Sequence, residues 1–252
     1  MKYFVSMAAL AAIAGLASAA PITINEAAVG GGSFNLNPGN LTPQVFSAPS
    51  PNFTNGSMGF IHNQLQGDGI VTNNVITIMA GRTDDGLALF ALLDDDSGVF
   101  TSFNSRMDMV AVAQDNNNVG GITGWVNDNG GELIQAANSN PIAGTYTFNT
   151  TFQWDNRTKG DGFALSKLEL NDSGSLVFNP LNAFGLAGVA NGFQYVSWEN
   201  GQWVVVGTGN FNNVAGGGSS TSLDWRVIPL PGAGAMSLAG LALVGARRRR
   251  AL

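Results

Sequence analysis

Across 252 residues the chain carries seventeen acidic and eleven basic side chains, one histidine and no cysteine. The missing thiols exclude cysteine nucleophiles, thiolate zinc and iron–sulfur sites, disulfides and lipid attachment at cysteine, and the lone His62 makes a Ser-His-Asp triad or a multi-histidine metal site hard to build. Lys2, Arg247, Arg248, Arg249 and Arg250 lie at the extreme ends, so residues 20–226 hold six basic against seventeen acidic residues, a formal charge of −11 rather than the −6 of the whole chain. Such a body repels nucleic acid and anionic lipid and attracts cations, which excludes nucleic-acid binding.

Residues 1–19 read as a secretory signal peptide. Lys2 supplies the positive start, Phe4 to Leu16 the apolar stretch, and Ala17-Ser18-Ala19 the small-residue cleavage site. The stretch is too short and too alanine-rich for a permanent span. Cleavage after Ala19 leaves a mature start at Ala20-Pro21, and the chain is expected to be exported.

Residues 20–226 have the length of one domain able to bury a sizeable core, and they read as β throughout. Gly, Asn, Thr and Ser abound, and turn dipeptides recur at Asn55-Gly56, Asp85-Gly86, Asn129-Gly130, Asp161-Gly162, Asn191-Gly192 and Asn200-Gly201. Strands are expected at 22–28, 69–79, 87–93, 99–104, 107–114 and 122–126, then at 163–170, 176–178 and 222–227. The clearest runs from Gly144 to Trp154. Tyr146, Phe148, Thr150, Phe152 and Trp154 share one face of it, and Thr145, Thr147, Asn149, Thr151 and Gln153 the other. Phe193 to Glu199 and Gln202 to Gly207 form a hairpin, because Asn200-Gly201 accepts the positive φ of a type I′ turn. No amphipathic helix stands out between the strands; Leu181 to Ala190 offers at most a short turn of one. Residues 30–55 read as a long irregular arm and 207–220 as a loop. So many strands with frequent turns predict an all-β fold, a jelly-roll-like antiparallel β-sandwich, with a closed barrel as the alternative.

Chemistry has few places to reside in this stretch. The run Asp94-Asp95-Asp96 sets three carboxylates side by side, and a bound Ca²⁺ would relieve their repulsion. The spacing lacks the alternation of an EF-hand loop, and a solvated turn that keeps an edge strand soluble is the plainer reading. Oxygen-rich loops at 115–118 and 127–132 carry the same two readings. Glu169 and Glu199 are the carboxylates that a glycosidase pair would need, yet neither lies in a motif. Trp125, Trp154, Trp198, Trp203 and Trp225 are the side chains that could stack on a sugar if they face outward. No other cofactor is implied.

Residues 227–252 form a distinct tail. Pro229-Leu230-Pro231 leads into an uncharged apolar run, and Arg247, Arg248, Arg249 and Arg250 close it. From Leu230 to Ala246 a helix would rise roughly 25 Å at about 1.5 Å per residue, close to a bilayer core of about 30 Å, with the arginine stems reaching the interface. The basic cluster holds that end on the cytoplasmic side and leaves the body on the opposite face. This layout resembles the PEP-CTERM sorting signal of bacterial surface proteins: a short proline motif, a small-residue-rich transmembrane helix and a terminal basic cluster. The family motif reads Pro-Glu-Pro, and Leu230 stands here in the acidic position. The resemblance covers only the tail. It implies recognition by an exosortase-type membrane protease, cleavage near Pro229 to Pro231, and release or attachment at the cell surface.

Together these readings make the chain an exported bacterial cell-surface or extracellular-matrix protein, non-enzymatic and anchored in the membrane until processed. A carbohydrate-binding, lectin-like module that takes a surface polysaccharide is the alternative, and a secreted glycoside hydrolase the third.

Overall fold

The computed structural model describes residues 20–27, 31–41, 45–46, 57–93, 105–117, 121–127, 144–154, 162–180, 192–211 and 221–229. Among them the chain forms β1 (Ile22–Glu26), β2 (Ser33–Leu36), β3 (Gly39–Asn40), helix α1 (Ser57–Gly67), β4 (Ile76–Thr83), β5 (Gly86–Leu93) and β6 (Ser105–Gln114). There follow β7 (Thr123–Asn127), β8 (Thr145–Trp154), β9 (Gly162–Leu168), β10 (Ser173–Pro180), β11 (Phe193–Glu199), β12 (Gln202–Gly209) and β13 (Thr221–Val227). One sheet runs β2-β1-β13-β10-β6-β8, and the second runs β12-β11-β4-β5-β9-β7 with β3 also on β4.

The two sheets face each other across one core. Ile22, Ile24, Met107, Met109, Phe148, Phe152, Leu176, Leu223 and Trp225 come from the first, and Ile76, Ile78, Leu89, Ala91, Phe163, Leu165, Phe193 and Tyr195 from the second. Alternation places them there: on β8, Phe148, Thr150 and Phe152 are buried while Asn149 is exposed. The β-sandwich is thus what the period-two pattern implies. The Asn200-Gly201 hairpin forms as expected, with Glu199 opposite Gln202 and φ of 53° and 89° at the two turn residues.

The sandwich departs from the expected antiparallel, helix-free pattern. Every pairing in the first sheet is antiparallel, but β11 and β3 both run parallel to β4, so the second sheet is mixed. A parallel pair needs a crossover, and here the chain supplies one by passing through β6, β8 and β10 of the other sheet before returning as β11. Gln194 seals that pair from within, its Nε2 donating to Thr77 Oγ1 at 2.8 Å and to the Val71 carbonyl at 2.9 Å. The fold is also not wholly β. Helix α1 lies on the outer face of the second sheet, where Ile61, Leu65 and Ile70 join Leu41, Phe46, Met79, Phe90, Leu92, Trp125 and Trp203 in a second core. Strands β4, β5 and β9 are therefore buried on both faces, which is why Leu87 to Leu93 reads as an unbroken apolar run.

The expected strand at 69–79 begins later, at Ile76, because residues 68–70 close the helix instead. The Ile70 N–H donates to the Leu65 carbonyl at 3.0 Å, and the Gly69 N–H to that of Gln66 at 2.9 Å, with Gly69 at φ 83°. This is a Schellman ending, and the apolar pair it requires is Leu65 with Ile70. The expected arm at 30–55 contains β2, β3 and a bridge at Phe46. Among the described residues no helix is long and apolar enough to cross a membrane; the tail span expected at 230–246, the strand at 99–104 and the turn at 181–190 lie outside them.

Candidate functional site

The described residue nearest the tail chemistry is Pro229, and the elements that place it are the two ends of the body. β13 lies in the middle of the first sheet, between β1 and β10. Ile22 pairs with Val227, and the Ile228 N–H donates to the Pro21 carbonyl at 3.0 Å. Val227 is buried, Ile228 half-buried and Pro229 exposed, so the chain leaves the core and reaches solvent within two residues. At the opposite end Pro21 is buried and Ala20 packs partly against the core. The start of the body and the start of the tail therefore sit side by side.

A polar clamp holds this exit. The Val227 N–H donates to the Asp172 carbonyl at 2.8 Å, and the Asn171 N–H to the Val227 carbonyl at 3.1 Å. Asp172 is 1 % exposed; its Oδ1 accepts the Asn116 N–H at 3.2 Å and its Oδ2 the Glu169 N–H at 2.8 Å. Burial raises its pKa above the ordinary carboxylate value, against the lowering effect of those two amides. Asp115 closes the neighbouring loop, accepting the Asn117 N–H at 3.1 Å and the Gly121 N–H at 3.4 Å. Asn116 and Asn117 reach back to the carbonyls of Asn171 and Leu170 at 2.7 Å and 2.5 Å. The oxygen-rich loop at 115–118 thus uses its carboxylate to close its own turn. Among the described residues no three carboxylate or histidine groups are placed to hold a metal ion.

Two further polar links tie elements together, each from a buried side chain to a half-buried carboxylate. Trp125 Nε1 donates to Ser166 Oγ at 2.6 Å, and that hydroxyl donates to Asp85 Oδ2 at 2.5 Å. Ser166 is fully buried, so this serine–carboxylate pair is a strut between the β4–β5 turn and β9 rather than a nucleophile. On the other side of the sandwich the Tyr195 hydroxyl donates to Glu26 Oε1 at 2.7 Å, and Glu26 Oε2 accepts the Gly32 N–H at 3.1 Å. Phe34 stacks on Tyr195 with ring centres 4.2 Å apart. Burial, then the bond to Glu26 and its charge, push the Tyr195 phenol above its ordinary value. None of these links has a sequence signal, because each joins residues far apart in the chain.

The other predicted residues disperse. Trp125, Trp203 and Trp225 are buried, and Trp198 is half-buried in edge contact with Trp203 at 5.1 Å. Three of the five candidate sugar platforms therefore face a core. Glu169 is exposed beside the exit clamp, and Glu199 is half-buried at the β11–β12 turn. His62 is buried on α1. Asp94, Asp95, Asp96, Ala17, Ala19, Leu230, Pro231, Arg247, Arg248, Arg249, Arg250, the loop at 128–132 and the side chain of Trp154 lie outside the described residues. Comparison with protein-family models, with curated proteins and with solved structures finds no match.

Proposed function

We propose that the chain is an exported bacterial cell-surface or extracellular-matrix protein without catalytic activity, delivered by its C-terminal tail. In this reading residues 1–19 direct export and residues 230–246 form a transmembrane helix. Arg247 to Arg250 hold that helix's end in the cytoplasm. An exosortase-type protease recognises Pro229-Leu230-Pro231 and cuts there. What supports it is the tail pattern together with one feature of the body: Pro229 is exposed directly after a strand that is locked into the sandwich. A protease needs an accessible, extended substrate, and it must not have to unfold the product to reach it. A peptide that leaves a central strand into solvent meets both needs.

The deciding measurement is the intact mass of the protein recovered from the host's surface and medium. The expected species begins at Ala20 or Pro21 and ends between Pro229 and Pro231. A species that retains Arg247 to Arg250 overturns the sorting reading and leaves the tail an ordinary anchor. Deleting the four arginines should abolish correct surface display, since the charge that orients the helix is gone.

A further inference from the structure

Among the described residues three large apolar side chains are exposed: Val71, Leu170 and Val205. A single exposed side chain of this kind is ordinary on a protein surface, so its place decides whether it matters. Val205 lies midway along β12. Val71 stands at the end of the sandwich away from the tail. Its carbonyl accepts Gln194 Nε2; the neighbouring Phe193 packs on Phe178, which pairs with Thr221 where β13 begins. Leu170 stands at the tail's own end, 43 % exposed on the turn between β9 and β10.

Register fixes the height of that leucine. Ser173 of β10 lies opposite Arg226 of β13, and the Asn171 N–H donates to the Val227 carbonyl at 3.1 Å. The residues ahead of Ser173 therefore stand level with those that follow Arg226. This sets Leu170 beside Ile228 and Pro229, within about 10 Å, the spacing of packed sheets. Asn117 Nδ2 donates to the Leu170 carbonyl at 2.5 Å and holds the turn in place. Half-buried Ala20 and Ile228 and exposed Pro229 complete an apolar rim. The carboxylates of Asp115 and Asp172 are buried and accept backbone amides, which leaves Glu169 as the exposed charge beside Leu170.

The tail adds a limit on distance. Its apolar run begins at Leu230, directly after Pro229, so no spacer separates the body from the span. Val227 is fixed in the sheet, and the three residues from there to Leu230 reach at most about 11 Å when extended. A headgroup layer is about 5–7 Å deep. A body held this closely stands with its exit end against the headgroups.

We propose that the exit end is a lipid-facing surface, and that Leu170 docks in the headgroup layer of a zwitterionic bilayer while the tail is uncut. The inference rests on the reading that residues 230–246 span the membrane. Zwitterionic lipid is the fitting partner, because exposed Glu169 and a body charge of −11 oppose an anionic one.

The test uses the uncut full chain in phosphatidylcholine vesicles, with and without a nitroxide on the lipid headgroup. The chain has no cysteine, so Leu170→Cys and Val71→Cys each carry one environment-sensitive fluorophore. Both positions are exposed, and both variants should keep the wild-type circular dichroism. In chain that floats with the vesicles, the label at 170 should shift to the blue and lose most of its intensity to the nitroxide. The label at 71 should do neither. Equal, water-like emission at both positions in floated chain overturns the proposal and leaves the tail reading standing. A blue shift at 170 that the nitroxide does not quench, and that grows with the protein-to-lipid ratio, also overturns it, since a second copy then covers the leucine. Chain that fails to float overturns the tail reading and this inference together.

Discussion

Tyr195 shows how one side chain can join two sheets. Its ring lies in the sandwich core under Phe34 of β2, and its hydroxyl serves Glu26 of β1. The folded phenol keeps its proton at a pH where the unfolded chain has lost it, since burial and Glu26 raise its pKa above the ordinary 10. Its stabilising effect is therefore complete below about pH 10 and is lost as the pH rises further. Tyr195→Phe should cost about 1–2 kcal/mol at pH 7, because Glu26 Oε1 loses its donor in a half-buried place. The gap between the two proteins should narrow in urea titrations above pH 10; a gap that widened there would contradict the assignment. Residues 26 and 195 show why such a link escapes sequence reading: they are 169 positions apart, and neither stands in a motif. The exit clamp of Asp115 and Asp172 is hidden for the same reason. Pro229, by contrast, draws notice in the sequence alone, because its pattern is one of local composition.

Among elements, the closed corner between β2 and the β11–β12 hairpin depends on the absence of side chains. A Cβ on Gly207 would lie 2.0 Å from Phe34 Cε1, and one on Gly209 would lie 1.8 Å from Glu26 Oε1. Phe34 cannot retreat while stacked on Tyr195, so Gly207→Ala should cost about 1–3 kcal/mol by overpacking, measured by urea denaturation. A neutral effect would mean that the corner is looser than its ring stacking implies. β9 makes a different adjustment. Lys167 takes φ 60° where the pairing with β5 slips, and this single step returns Leu168 to the core while Lys167 faces solvent beside Asp85 at 3.8 Å. Strict alternation would have buried the lysine. Strands with one wet face, such as β8, and the Asn200-Gly201 hairpin could be read from their residues. Helix α1 could not: Gly59, Asn63 and Gly67 give it little intrinsic helicity, and it is held by covering the second sheet. The parallel pairing of β4 and β11 was equally hidden, since no local pattern distinguishes it from an antiparallel one.

For the whole molecule, the position of β13 sets the order of events. The strand nearest the tail is the one that β1 and β10 both need as a neighbour, with Ile22 meeting Val227 across almost the entire body. The first sheet cannot be completed until residue 227 is present, and contacts this distant in sequence form slowly. A chain emerging from a membrane pore N-terminus first would hold β1 paired with β2 on one side only, its other side open until the last part of the body had crossed. If the chain is exported as proposed, premature folding that jams transport would thereby be avoided, and the tail would reach the membrane as the sandwich closes. A chain ending at residue 220 should consequently lose hydrogen-exchange protection at those β1 amides that bond to β13, whereas one ending at 229 should keep it. Under the proposed export, the completion of folding would report the completion of transport.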